Sequence, residues 1–187
     1  YGVVVLDAYI QATGGAKAYK SVKSAVIKGT FSMPAQGISG PLESYVSFPN
    51  KMYTRISLGK LGSMQMGTNG KNAWEISPIT GTRILKGKEL STFIKDADFS
   101  KEVHWRKYYK SATVVGTKKV NGEECFQVAL ISTDGDPETR YYGIKSKYLL
   151  RLEKKQISPM GALPISVDFS EYKKDGIFIS PRKQTIT

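Results

Sequence analysis

Alternation with a period of two dominates this chain. Over residues 40–48 the even positions Gly40, Leu42, Ser44, Val46 and Phe48 form the greasier set. The odd positions Pro41, Glu43, Tyr45 and Ser47 form the more polar one, the pattern of a half-buried strand. Pro49-Asn50 breaks the run, after which Met52, Thr54, Ile56 and Leu58 alternate with Tyr53, Arg55 and Ser57. Met64 and Met66 mark another strand, Asn69-Gly70 supplies a hairpin turn, and residues 72–77 return through Trp74. Ahead of this meander, Ala25, Ile27, Gly29, Phe31 and Met33 alternate with mostly polar neighbours; behind it, residues 82–86 read as a short strand.

Helical spacing appears in two places. Val3, Leu6 and Ile10 stand at i, i+3 and i+7, with Gly14-Gly15 as a stop, and residues 16–22 make a second short turn whose Lys17, Lys20 and Lys23 face water. Over residues 88–110, Leu90, Phe93 and Ile94 are followed by Val103, Trp105 and Tyr108, with Ser100 placed to cap a second helix. Strands resume at residues 113–120 and 123–132 around Asn121-Gly122, the strongest hairpin signal in the chain. Residues 139–144, 148–157, 163–169 and 177–186 complete the pattern, the last following Asp175-Gly176. The expectation is one mainly β (α+β) domain over residues 1–187: a curved antiparallel sheet of about ten or eleven strands, with an N-terminal helix over about 3–22 and helices over about 88–110 covering its open face.

At 187 residues the chain suits one domain, and a mean hydropathy of −0.30 describes a soluble protein. No apolar run approaches the roughly 18–20 residues of a membrane-spanning helix. Cys125 is the only cysteine, which excludes an internal disulfide, and its place in an alternating strand suits a small buried hydrophobe. The net charge is +12 and unevenly spread. Up to Lys88 the only acids are Asp7, Glu43 and Glu75, against eleven lysines and arginines. Such a field draws anionic partners, or serves chiefly to keep sheet edges soluble.

Catalytic chemistry finds little support. His104 is the sole histidine, no serine sits in a nucleophile elbow, and one cysteine with one histidine cannot build a zinc site. Asp134-Gly135-Asp136 lacks the further ligands of a calcium loop, and Glu123 and Glu124, adjacent on a strand, point to opposite faces. No cofactor is expected. Nucleic-acid binding has stackable side chains in Tyr45, Tyr53 and Arg55 but no recognition fingerprint, and cross-strand tyrosine pairing accounts for them as well. Four methionines, Met33, Met52, Met64 and Met66, fall on strands that should be neighbours. They serve either as ordinary core filler or as an adaptable apolar pocket.

The series Phe48-Pro49-Asn50-Lys51-Met52, then Thr68-Asn69-Gly70-Lys71-Asn72-Ala73-Trp74-Glu75-Ile76-Ser77-Pro78, resembles the LolA/LolB-type lipoprotein carriers, as does the opening Ala12-Thr13-Gly14-Gly15. The similarity is clearest over residues 37–90 and looks like an exported bacterial branch of that superfamily. Asn69 replaces the family's usual aspartate, which a type I′ turn tolerates.

The resemblance implies an unclosed β-barrel with a helical lid over an apolar cavity, acting without enzymatic chemistry as a monomeric carrier in the periplasm or at the outer membrane. A signal peptide would have been removed ahead of Tyr1. It implies that Phe31, Met33, Leu42, Val46, Met52, Ile56, Met64, Met66, Trp74 and Ile76 line the cavity, and that Leu90, Phe93, Ile94 and Phe99 line the lid. Arg55, Lys60, Arg83 and Lys86 would hold anionic headgroups at the rim. The implied ligand is a lipid or lipoprotein acyl chain, with an anionic membrane surface or an envelope protein as further partners. The alternative is a partner-sensing domain on the same shell, its cavity filled and its basic surface outward.

Overall fold

The computed structural model describes residues 1–158 and 161–187. In chain order the elements are α1 (Gly2–Ala12), α2 (Gly15–Ser21), β1 (Ser24–Met33), β2 (Ile38–Ser47), β3 (Lys51–Ser57), β4 (Ser63–Thr68), β5 (Ala73–Ser77), β6 (Gly81–Ile84) and α3 (Gly87–Ala97). They continue with β7 (Tyr109–Val120), β8 (Glu123–Ser132), β9 (Pro137–Gly143), β10 (Leu149–Ser158), β11 (Gly161–Asp175) and β12 (Phe178–Ile186). The protein is mainly β, and its strands form two six-stranded antiparallel sheets, β1 to β6 and β7 to β12, where the alternation alone suggested a single sheet. Each sheet runs in sequence order from one edge strand to the other and does not close on itself.

Two compact units result: residues 22–100, and residues 1–21 with 101–187. In the second, α1 exists because Val5, Leu6 and Ile10 recur on one side, and all three are buried. Val5 and Leu6 pack with Trp105, Tyr109, Val128, Leu130, Tyr142 and Leu149 in one apolar cluster. Thr13 ends the helix, its hydroxyl donating to the Tyr9 carbonyl at 2.8 Å. The β7–β8 turn is the expected tight hairpin: Val120 pairs with Glu123, and Asn121 and Gly122 have φ of 50° and 87°.

The first unit holds β1 to β6 and α3, with α3 against β4 and β5. Its hairpins at β2–β3 and β3–β4 pair Ser47 with Lys51 and Ser57 with Ser63, so the same parity stays on the same face across β2, β3 and β4.

Two local expectations need correction. The second helix expected from Ser100 onward is a set of turns with a single 3-10 turn at Trp105–Lys107. Ser100 does not cap it; its N–H and hydroxyl both donate to Asp98 Oδ1 at 2.8 Å, closing a local turn after α3. The β4–β5 connection is not a two-residue type I′ turn either. Thr68 pairs with Ala73, and Asn69 Oδ1 accepts the N–H groups of Lys71 and Asn72 at 2.9 and 2.8 Å.

Candidate functional site

Residues paired directly across an antiparallel ladder project to the same side. The register of β1 to β4 therefore brings eight of the expected cavity residues onto one face: Phe31 and Met33, Leu42 and Val46, Met52 and Ile56, Met64 and Met66. Most are half-buried; Ile56 is buried and Met33 is exposed. Ser44 and Thr54 lie among them, buried, and satisfy one another through a 2.8 Å hydrogen bond between their hydroxyls. Thr68 is also buried on this face, its hydroxyl donating to the Asn72 carbonyl at 2.8 Å.

Trp74 and Ile76 do not join this set. Met66 pairs with Glu75 and Thr68 with Ala73, so the odd positions of β5 share the methionine face and the even ones project to the other. The cause is the four-residue β4–β5 connection, which reverses parity where the two preceding hairpins preserve it.

The helix is tied to the methionine face by one arginine. Arg83 pairs with Glu75 across β5 and β6, and so points to the same side. Its guanidinium donates to both carboxylate oxygens of Glu89 at 2.8 Å and to Glu75 Oε2 at 2.7 Å. The bonds to Glu89 raise the Arg83 pKa despite the opposing effect of burial, with Glu75 adding to the rise. The Thr80 hydroxyl donates to the other Glu75 oxygen at 2.5 Å. Along α3, Leu90, Phe93 and Ile94 are half-buried and Ala97 buried, an i, i+3, i+4, i+7 stripe; Phe99, half-buried, follows the helix end.

The four expected rim cations do not come together. Arg83 is clamped on the methionine face and Arg55 projects from the opposite face. Lys60 lies in the β3–β4 turn at one end of the sheet, and Lys86 follows β6 at the other end. Sequence reasoning missed the cations that do cluster. Lys23 precedes β1, Lys51 opens β3 and Lys71 lies in the β4–β5 turn, all at the end where Lys86 leaves β6. The signal was available, because in an antiparallel meander every second connection shares an end.

The face opposite the methionines carries an unbroken row: Val26, Tyr45, Tyr53, Gly67, Trp74 and Ile84 are paired in succession across all six strands. The Tyr45 and Tyr53 rings lie 6.4 Å apart, and the Trp74 indole lies over Gly67.

The second unit offers other chemistry. Arg140, buried, donates to Glu138 at 2.5 Å, Glu102 at 2.7 Å and the Tyr109 hydroxyl at 2.9 Å. Burial by itself would raise the Glu138 carboxyl, but Arg140 holds it below its ordinary value. Burial pushes the Cys125 thiol up to about 11, and Glu123 adds to the rise. His104 is exposed in a turn. A cavity of about 440 Å³ at the start of β9, the middle of β10 and the first half of β11 is lined by Glu138, Glu153, Lys154, Lys155 and Pro164, among others, and by none of the expected ligand-binding residues. No group of three or more metal-ligating side chains occurs among the described residues.

Neither a protein-family model nor a curated protein matches the sequence. Solved structures do match its fold. A DUF1329 family protein from Desulfovibrio piger superposes over 100% of this chain and 85% of its own, with a TM-score of 0.57 at 11% identity. A domain described as an outer-membrane lipoprotein-sorting protein from Vibrio parahaemolyticus matches over 100% and 86%, with a TM-score of 0.57 at 13% identity. A LolA superfamily protein from Nitrosomonas europaea matches over 87% and 74%, with a TM-score of 0.53 at 11% identity. At these identities the likeness is one of fold. Two unclosed antiparallel sheets with three helices, in this order and with these neighbours, give the chain the LolA-like fold.

Proposed function

We propose that this protein is a non-enzymatic carrier or binding protein of the bacterial cell envelope. It holds an acyl chain of a lipid or lipoprotein against the methionine face of β1 to β4, with α3 as its cover. One observation carries the reading: eight apolar side chains from four strands share a single face, and most of them are half-buried. Half-burial leaves apolar surface for a ligand to cover, at about 0.8 kcal/mol per methylene removed from water. Four unbranched, polarisable methionines adapt to a flexible chain better than a rigid β-branched wall would. Arg83 serves on this reading as the tether between sheet and cover, and Leu90, Phe93 and Ile94 meet the chain from above.

Native mass spectrometry of delipidated protein, titrated with a monomeric long-chain fatty acid, tests this. Saturable uptake of one acyl ligand is expected, and Met66→Asp should weaken it at least tenfold by setting a charge on the apolar face. An unchanged apo mass across the titration sinks the proposal. A second reading is a partner-sensing domain whose face is filled by its own side chains, and the buried Ser44–Thr54 pair at the centre of that face favours it. That reading takes over if no acyl ligand binds.

A further inference from the structure

The first unit has an amphipathic end that the acyl-binding reading does not use. At the end of the sheet where β1 begins and β6 finishes lie Lys23, Lys71 and Lys86 in the connections and Lys51 at the start of β3, all exposed. None of the four is in an ion pair among the described residues. The β2–β3 turn also carries Phe48 at this end, 45% exposed. No carboxylate lies in these connections.

The apolar row on the face opposite the methionines stands two residues in from this end, roughly 7 Å along the strands. Three of its members are open to solvent, Val26 57% exposed, Tyr45 45% and Ile84 59%, while Tyr53 and Trp74 are half-buried and Gly67 is buried. The phenols of the row are engaged within their own face. Tyr45 donates to Glu43 at 3.3 Å and Tyr53 to Gln65 at 2.8 Å. Glu43, the one acid on this face, is neutralised in turn by Lys28 at 3.4 Å. The surface thus presents ring area and aliphatic side chains, with a single arginine, Arg55, opposite Glu43 in the ladder and a lysine fringe at the end.

We propose that this end of the β1–β6 sheet docks on an anionic lipid bilayer, with Phe48 entering the interface and Tyr45, Tyr53 and Trp74 resting at headgroup depth. Tyrosine and tryptophan favour that depth because their rings are apolar and their polar atoms reach water. Lysines bring mobile point charges, which match a diffuse sheet of phosphates, whereas planar, bidentate recognition of one phosphate or base selects arginine. Three of the lysines are on separate connections and Lys51 opens β3, so the positive charge spreads across an end of the sheet. Each of the row's two phenols already gives its one proton within the face, so neither is a free donor for a base edge or a peptide backbone.

The test is flotation of the full chain with phosphatidylcholine vesicles, with and without phosphatidylglycerol. Binding should require the anionic lipid and fall with added salt. K51Q/K71Q should lower the partition coefficient about 25-fold, at about fivefold per lysine. Phe48→Ser should lower it about fivefold. Lys60→Gln, at the other end of the sheet, should leave it unchanged. A fluorophore on Phe48→Cys should shift to the blue on vesicles. Equal partitioning of wild type and K51Q/K71Q, or binding indifferent to phosphatidylglycerol, overturns the proposal. So does binding to soluble polyphosphate with none to vesicles, which would indicate an acidic macromolecule. Fatty-acid uptake by K51Q/K71Q stays at the wild-type level, so failure here is distinct from failure of the acyl-binding reading.

Discussion

At Gly67 there is no room for a side chain. A Cβ there would stand 2.5 Å from Cζ2 of Trp74 and 2.9 Å from the Met52 carbonyl oxygen. The glycine lets the indole lie across β4, and the ring covers backbone that a bare glycine would leave to water. Gly67→Ala is therefore expected to cost about 1–3 kcal/mol, read as a lower urea midpoint with an unchanged slope. Arg140 poses the opposite problem, a buried charge that must keep its partners. Arg140→Met strands the buried Glu138 carboxylate and is expected to cost about 3–5 kcal/mol. The same pair sets a pH dependence. The folded-state pKa of Glu138 lies below its ordinary value, so its stabilisation is present at neutral pH. It is lost as pH falls through the folded pKa, because the unfolded chain then binds the proton more readily. Thermal unfolding followed by circular dichroism from neutral pH to below the ordinary glutamate range should show this loss, and Glu138→Gln should flatten it.

Among the elements, α3 depends on a contact that no periodicity reveals. Its apolar stripe was legible as Leu90, Phe93 and Ile94, but Arg83 ties it to the sheet by bridging Glu75 on β5 and Glu89 in the first turn of the helix. Glu89 also suits that turn electrostatically, near the positive end of the helix dipole. Arg83→Met should cost about 1–3 kcal/mol and leave two carboxylates facing each other. Amides of residues 90–97 should then exchange with deuterium faster than those of β4 and β5. Equal acceleration throughout the sheet would mean that Arg83 supports the whole unit, not the helix attachment. The Asn121-Gly122 turn was legible because two positive-φ residues in succession demand such a pair. The Asn69 turn misled because the same dipeptide also fits an asparagine cap on a four-residue loop.

Over the whole molecule, stability should be graded. Cys125, Val128, Leu130, Tyr141 and Tyr142 make β8 and β9 the most deeply buried strands, whereas β1 is an edge strand with hardly a buried position. Hydrogen exchange should therefore be slowest in β8 and β9 and fastest in β1; the reverse order would contradict this burial gradient. What the sequence by itself determined is local in origin. Alternation of period two, the spacing of Val3, Leu6 and Ile10, and the Asn121-Gly122 dipeptide specified strands, the first helix and a tight hairpin, because each depends on residues a few positions apart. Within each of β1 to β4 the alternation told which side chains share a side, but that those sides coincide was decided by the pairing register. Tertiary structure alone decided the rest. One even-membered connection sent Trp74 and Ile76 to the opposite face, since parity is set by pairing across strands and not by position along one. It also scattered Arg55, Lys60, Arg83 and Lys86 and gathered Lys23, Lys51 and Lys71 beside Lys86. Charges far apart in sequence become neighbours only through strand order, and strand order is a property of the folded sheet.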